Sequence, residues 1–236
     1  MKYNIYLNIN DFDKYGLKLY GYPKLFSNLA FEHLKETEQG VGVLIQDRYA
    51  WVLISMKIKI IKSLDVNEDI FGSTWYAGQR GPYYRREFDI FNDKCHIVGA
   101  SYSILMDMSD RSVYRNKELP FKRLTEKLTH LVDLNTNFRG EPELIDVFKG
   151  RVLNSDIDVL GHANHLKYLE YIYNSLTQDE ILKYKKYTTL ELFFQKEMLL
   201  GHEYKVSKGK LEGKFVFIIT NITTNEKAFT LVISND

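Results

Sequence analysis

Cysteine and proline are scarce in this chain of 236 residues, at one and four, and net charge is almost lacking: 32 Lys and Arg stand against 31 Asp and Glu. A single thiol, Cys95, can form no internal disulfide framework and no cysteine-based zinc site, which fits a reducing cytosol. No run of about 18 apolar residues occurs, so no membrane-spanning helix is expected. The opening Met1-Lys2-Tyr3-Asn4-Ile5-Tyr6 lacks the apolar core of a secretion signal. The expected location is therefore the cytoplasm. A formal net charge of +1 provides no long-range field for nucleic acid or an anionic membrane, and any acidic partner must meet a local basic patch.

A hydrophobic fraction of 44% and a charged fraction of 27% are enough to bury a core, with no compositional sign of disorder. The length exceeds the usual size of one domain and accommodates two small ones. Fourteen Phe and 17 Tyr are a heavy aromatic load, for which core packing is the first explanation and a wall for a greasy ligand the second.

Residues 2–9 read as a strand, and 21–38 as a helix with Leu25, Leu29, Ala30 and Leu34 at helical spacing. From Trp51 to Ile60 apolar and basic residues come to alternate, as in a half-buried strand. Stretches 70–79, 83–91 and 95–107 continue as strands, separated by Gly81-Pro82 and Asn92-Asp93 turns. Residues 116–143 read as a linker with a short helix-like piece over 122–130. After it come a strand at 144–153, a helix at 162–176 and strands at 187–198, 202–210, 212–221 and 226–234. The order strand, helix, strands thus occurs twice, without residue-by-residue repetition. The expected domains are 1–115 and 144–236, each an antiparallel sheet wrapped around a long central helix, giving an α+β chain.

The chemistry concentrates in Asn154-Ser155-Asp156-Ile157-Asp158-Val159-Leu160-Gly161-His162-Ala163-Asn164-His165. Two carboxylates, two imidazoles and an amide fall within ten residues running from a strand end into a helix. Gly161, read as the helix start, would let free backbone N–H groups face a carbonyl oxygen. His162 could donate a hydrogen bond or move a proton near neutral pH, and Asp158 could orient it or hold a water. Set against this, aspartates are common in turns and caps, and Asn164 could simply satisfy the first helical turn. His162 and His165 lack the further ligands of a metal site, so no metal is expected.

The run Asp-Ile-Asp-Val-Leu-Gly-His-Ala-Asn-His-Leu-Lys-Tyr-Leu from Asp156 resembles the second hot-dog signature of the acyl-acyl-carrier-protein thioesterases of plants and bacteria, Asp-Leu-Asp-x-Asn-x-His-x-Asn-Asn-x-x-Tyr. The strand Trp51–Ile60, the arginine-bearing Tyr84-Arg85-Arg86-Glu87-Phe88 and, more weakly, Phe31-Glu32-His33-Leu34 resemble first-half elements of the same family. The resemblance implies a tandem double hot-dog fold, with Asp158 and His162 at the catalytic positions and Glu197 at that of the water-activating glutamate. Leu160 stands where the family has its catalytic asparagine, so Asn164, a backbone group or a water would have to serve instead.

On this resemblance the activity is hydrolysis of fatty acyl-acyl carrier protein (ACP) to free fatty acid. Glu197 or Asp158 would be the base, and His162 with the N–H groups of Gly161 and His162 would stabilise the oxyanion. Gly161, Asn164, Trp75 and Phe31 are the expected substrate-binding residues, the last two in an acyl pocket of the first half with Phe26, Leu29, Leu34, Met56 and Tyr102, for each of which core packing is the equal alternative. The partner is a carrier with a phosphopantetheine-linked acyl chain, met by Lys57, Lys59, Arg80, Arg85 and Arg86 or by Lys183, Lys185 and Lys186. No cofactor is implied, and a monomer or homodimer fits. Hydrolysis of acyl-coenzyme A, or thioester binding without turnover because of Leu160, are the alternatives.

Overall fold

The computed structural model describes residues 2–35, 48–66, 69–115 and 127–235. In chain order its elements are β1 (Tyr3–Ile5), β2 (Phe12–Asp13), β3 (Gly16–Leu17), α1 (Gly21–Lys35), β4 (Tyr49–Lys62), β5 (Ile70–Arg80), β6 (Tyr83–Phe91), β7 (His96–Asp107), β8 (Ser112–Val113), β9 (Glu143–Arg151), α2 (His165–Asn174), α3 (Gln178–Tyr184), β10 (Thr189–Phe194), β11 (Glu203–Leu211), β12 (Lys214–Asn221) and β13 (Glu226–Ser234). The chain divides into two compact units, Met1–Asn10 with Pro23–Leu134 and Asp11–Tyr22 with Asn135–Asp236. Among the described residues no helix is long and apolar enough to cross a membrane.

In the first unit the strands are ordered β1-β5-β6-β7-β4, each antiparallel to its neighbour, with β8 on β7. Helix α1 buries Leu25, Phe26 and Leu29 completely, each contributing roughly 1.5–3 kcal/mol by leaving water. Phe26 stacks on Phe88 with ring centroids 4.4 Å apart. That approach requires a glycine across the strand pair: a Cβ added at Gly99, the partner of Phe88, would lie 2.4 Å from the Phe26 ring and 2.2 Å from the Lys57 carbonyl oxygen.

Strand alternation puts Arg86 on the same face as Phe88 and turns Arg85 and Glu87 to the other. Arg86 donates to His33 Nδ1 at 2.9 Å and Thr74 Oγ1 at 3.3 Å, and its guanidinium lies 4.2 Å from the Tyr76 ring centre. On the opposite face Arg85 pairs with the fully buried Glu87. Residues 127–132 lie over that pair: Leu131 N donates to Glu87 Oε2 at 2.9 Å, Arg85 reaches the Val132 carbonyl, and Trp75 Nε1 donates to Thr129 O at 3.1 Å.

The second unit has the order β10-β13-β12-β11-β9, again antiparallel throughout. Helix α2 buries Leu169 and Ile172 completely and stacks Tyr171 on Tyr204 at 4.3 Å. The other face of this sheet carries Phe193, Val216, Ile218 and Val232, covered by Phe138 and Leu211. Helix α3 begins with a capping box in which Thr177 and Glu180 satisfy each other's backbone N–H groups. The segment 11–22 is tied to this unit through Asp13, which accepts from Lys185 Nζ at 2.8 Å and from the Tyr173 hydroxyl.

The chain is thus the expected α+β tandem of antiparallel sheets, each packed against a helix, with local amendments. The second helix begins at His165 rather than 162, because Gly161 adopts φ +81° and Ile157 bridges Ala163, holding 157–163 as a loop. The strand expected over 187–198 ends at Phe194, where Gln195 N and Lys196 N both donate to Ala228 O and turn the chain away. Of the linker expected over 116–143, residues 116–126 lie outside the described residues. The helix-like piece over 122–130 falls largely among them, and its described remainder, 127–130, is not helical.

Candidate active site

Residues 157–163 form a loop closed by main-chain bonds, Asp158 N to His162 O at 2.8 Å and Gly161 N to Asp158 O at 3.0 Å. The Asp158 carboxylate serves the same loop, its Oδ1 accepting from Leu160 N at 2.8 Å and from His162 N at 3.4 Å. A left-handed residue completes the turn, which is why glycine stands at 161; an added Cβ would meet nothing within 4 Å, so the constraint is conformational and not one of space. These bonds correct the expected oxyanion site. The N–H groups of Gly161 and His162 are turned into the loop and do not head a helix.

Asn164 is the N-cap of α2, its Oδ1 accepting from Leu166 N at 2.9 Å. His165, the first helical residue, sets its ring edge-on to Phe194 at 6.2 Å. Burial pushes its imidazole down to about 4, partly opposed by the Asp158 carboxylate, so at neutral pH it is uncharged.

Glu197 comes from the loop after β10. Its Oε2 lies 3.3 Å from His162 Nε2; the His162 side chain is 13% exposed and that of Glu197 47%. One main-chain bond sets the two loops in register: Ala163 N donates to Met198 O at 2.8 Å, joining the residue after His162 to the residue after Glu197. The structure therefore brings Asp158, His162, Asn164 and Glu197 into one neighbourhood, with a half-exposed carboxylate touching a largely covered imidazole. Such a pair can exchange protons with a substrate held at its open side. A cavity of about 340 Å³ elsewhere in this unit is lined by Phe138, Glu191, Phe193, Leu211 and Lys214 among others, and by none of these four residues.

Two expected substrate residues stand apart. Phe31 is 44% exposed on α1, under the Lys35 ammonium at 4.5 Å. Trp75 faces away from α1, since it alternates with Thr74 and Tyr76, and residues 127–129 lie against it. Neither faces the helix–sheet interior of the first unit. Of the expected carrier-binding cations, Arg85 and Arg86 are buried, and Lys185 is held by Asp13; none of the three offers a free surface charge. The residue that sequence reasoning passed over is Tyr168. The signature ends in this tyrosine, but nothing in a single sequence tells that its hydroxyl reaches a loop 28 residues further on.

The sequence matches the acyl-ACP thioesterase N-terminal domain over residues 1–118 and the acyl-ACP thioesterase C-terminal domain over residues 143–234. The chain therefore belongs to the acyl-ACP thioesterase family, a family of thioester hydrolases. Among solved structures, an acyl-ACP thioesterase from Bacteroides thetaiotaomicron superposes with a TM-score of 0.75 at 17% identity, over 99% of this chain and 96% of that one. A putative oleoyl thioesterase from Lactobacillus plantarum gives 0.77 at 13%, over 99% and 93%. The 12:0-ACP thioesterase of Umbellularia californica gives 0.75 at 12%, over 99% and 96%. At such identities the likeness is one of fold. No curated protein sequence matches the chain significantly.

Proposed function

We propose that this protein hydrolyses fatty acyl-ACP in the cytoplasm, releasing free fatty acid and the carrier's phosphopantetheine thiol. The observation that carries the reading is the 3.3 Å approach of His162 Nε2 to Glu197 Oε2, on two loops locked together by the Ala163–Met198 bond.

Glu197 is the better base of the two carboxylates. It is half exposed and touches the imidazole, whereas Asp158 commits an oxygen to the loop that carries His162. Glu197 takes a proton from water as the water oxygen bonds to the thioester carbonyl carbon. The carbonyl oxygen becomes an oxyanion, to which the Asn164 side-chain amide donates in place of the asparagine that Leu160 replaces. Collapse breaks the carbon–sulfur bond, the thiolate takes a proton from His162, and the proton held by Glu197 passes to His162 to reset the pair. One water is consumed, and acid and thiol leave.

The test is hydrolysis of carrier-bound and coenzyme A-bound acyl chains from short to long, with thiol release measured in wild type and in His162→Ala. Turnover of carrier substrates that falls by about 10²–10⁴-fold in the variant is expected. Preference for coenzyme A would reassign the donor. Rates no higher than those of an Asp158→Ala/His162→Ala double variant would leave a binding protein.

A further inference from the structure

Tyr168 sits on the second turn of α2, 4% exposed, with its ring against Phe194 at 5.9 Å and Phe229 at 5.4 Å. Its hydroxyl meets the Glu197 loop twice, donating to Lys196 O at 3.3 Å and accepting from Met198 N at 3.2 Å. The first group belongs to the peptide unit entering Glu197 and the second to the unit leaving it. One hydroxyl therefore holds both peptide planes on either side of the glutamate. Burial pushes that hydroxyl well above the usual tyrosine range, with the Glu197 and Asp158 carboxylates adding to the effect, so it stays protonated and able to donate.

We infer that Tyr168 is a positioning residue for hydrolysis, fixing the height of Glu197 against His162 through the backbone on both sides of it. This rests on the reading of Glu197 as the base. Other fixed points of the loop are the main-chain bonds from Gln195 N and Lys196 N to Ala228 O and from Ala163 N to Met198 O, the Gln195 side chain on Thr230 Oγ1 at 3.0 Å and the Lys196–Glu226 ion pair at 3.1 Å. They hold its ends, at 195–196 and 198. Glu197 lies between them on an exposed turn, and in a chain segment so short one lost anchor is free to rotate the intervening peptide planes. The carboxylate at their tip would then swing off the imidazole. The Tyr168 hydroxyl acts through the loop backbone, so its removal is felt in the rate of the chemical step and not in binding.

The experiment compares Tyr168→Phe, Glu197→Gln and the double variant in steady-state hydrolysis of an acyl-ACP substrate, each with a thermal melt. Ile172→Val, a fully buried change on the same helix away from the loop, supplies a control for lost packing. The expected result is a fall in kcat of about 10–100-fold for Tyr168→Phe, with KM within about two-fold. The double variant should be no slower than Glu197→Gln alone, because two residues acting through one group are not additive. The inference is overturned if Tyr168→Phe turns over like wild type, if its loss no more than equals that of Ile172→Val at a matched melting shift, or if the losses multiply in the double variant. Full activity in Glu197→Gln would instead remove the base itself, and the positioning role with it.

Discussion

The two units hold their charged groups in different ways. In the first, Glu87 is fully buried between Arg85 and Leu131 N, and Arg86 is held by His33, Thr74 and the face of Tyr76. In the second, the Asp158 carboxylate is spent on its own loop, while Glu197 stays half exposed against His162. A charge satisfied from several sides in a dry place is committed to structure, since moving it would leave partners unpaired. A charge held by its backbone, with its carboxylate open on one side, is available to a substrate. The charged strand in the first half and the charged loop in the second both set a carboxylate beside a basic side chain, and their surroundings differ.

The largest effect that would break this comparison is expected at Glu87. Glu87→Ala leaves Arg85, 6% exposed, without its carboxylate and strips Leu131 N of its acceptor. Breaking a buried pair by removing one partner costs about 3–5 kcal/mol, enough to lower the melting temperature by roughly 10 °C. Turnover per folded molecule should be unchanged below that temperature. A variant that melts with wild type would show the pair to be idle, and one that folds but no longer turns over would place the first unit's charges in the chemistry.

Much of this was legible in the residues, and what was not has physical causes. Period-2 alternation and turn residues located strands β4 to β7 and β9 to β13 within a few positions; all of them except β9, whose residues are exposed or half-buried, place side chains in a core. The helix register of Leu166, Leu169 and Ile172 followed from spacing alone, whereas Ala163 and Leu176, which the same spacing puts on that face, lie outside the helix. The start of α2 did not, because a left-handed Gly161 and the Ile157–Ala163 bridge outweigh a sequence that reads as helical from His162. Thr177-Gln178-Asp179-Glu180 is a capping-box pattern and could have announced α3. Nothing local could have announced that residues 11–22 attach to the second unit, since that rests on Asp13 meeting Lys185 and Tyr173 far along the chain. Asp158, His162 and Asn164 could be singled out by their crowding in one turn. Glu197 could not, because alone it reads as a solvated charge, and only the family signature raised it.

A smaller effect sharpens the comparison on the side of the second unit. His165 titrates at about 4 when folded, against 6.5 when unfolded. Between these values the unfolded chain binds more protons, so stability rises with pH across that window and is lost as pH falls through it. The loss should reach about 2–3 kcal/mol, discounted for the partial access of water to the ring. Denaturant unfolding of wild type and His165→Asn at pH values from 7 down to 4 checks it. The wild type should lose stability faster than the variant, and parallel curves would mean that the ring already reaches water.

The smallest effect on stability falls at Asn164, whose two readings separate cleanly by substitution. Asn164→Ala removes the acceptor for Leu166 N and should cost about 1 kcal/mol, the usual worth of an N-cap. Asn164→Asp keeps that acceptor and places a negative charge at the helix N-terminus, so it should unfold at or above the wild-type denaturant concentration. What the aspartate lacks is the pair of amide N–H donors. If these donate to the oxyanion in place of the asparagine missing at Leu160, turnover falls in Asn164→Asp as far as in Asn164→Ala although its stability does not. Equal turnover of Asn164→Asp and wild type would confine Asn164 to capping the helix and leave the oxyanion to some other donor.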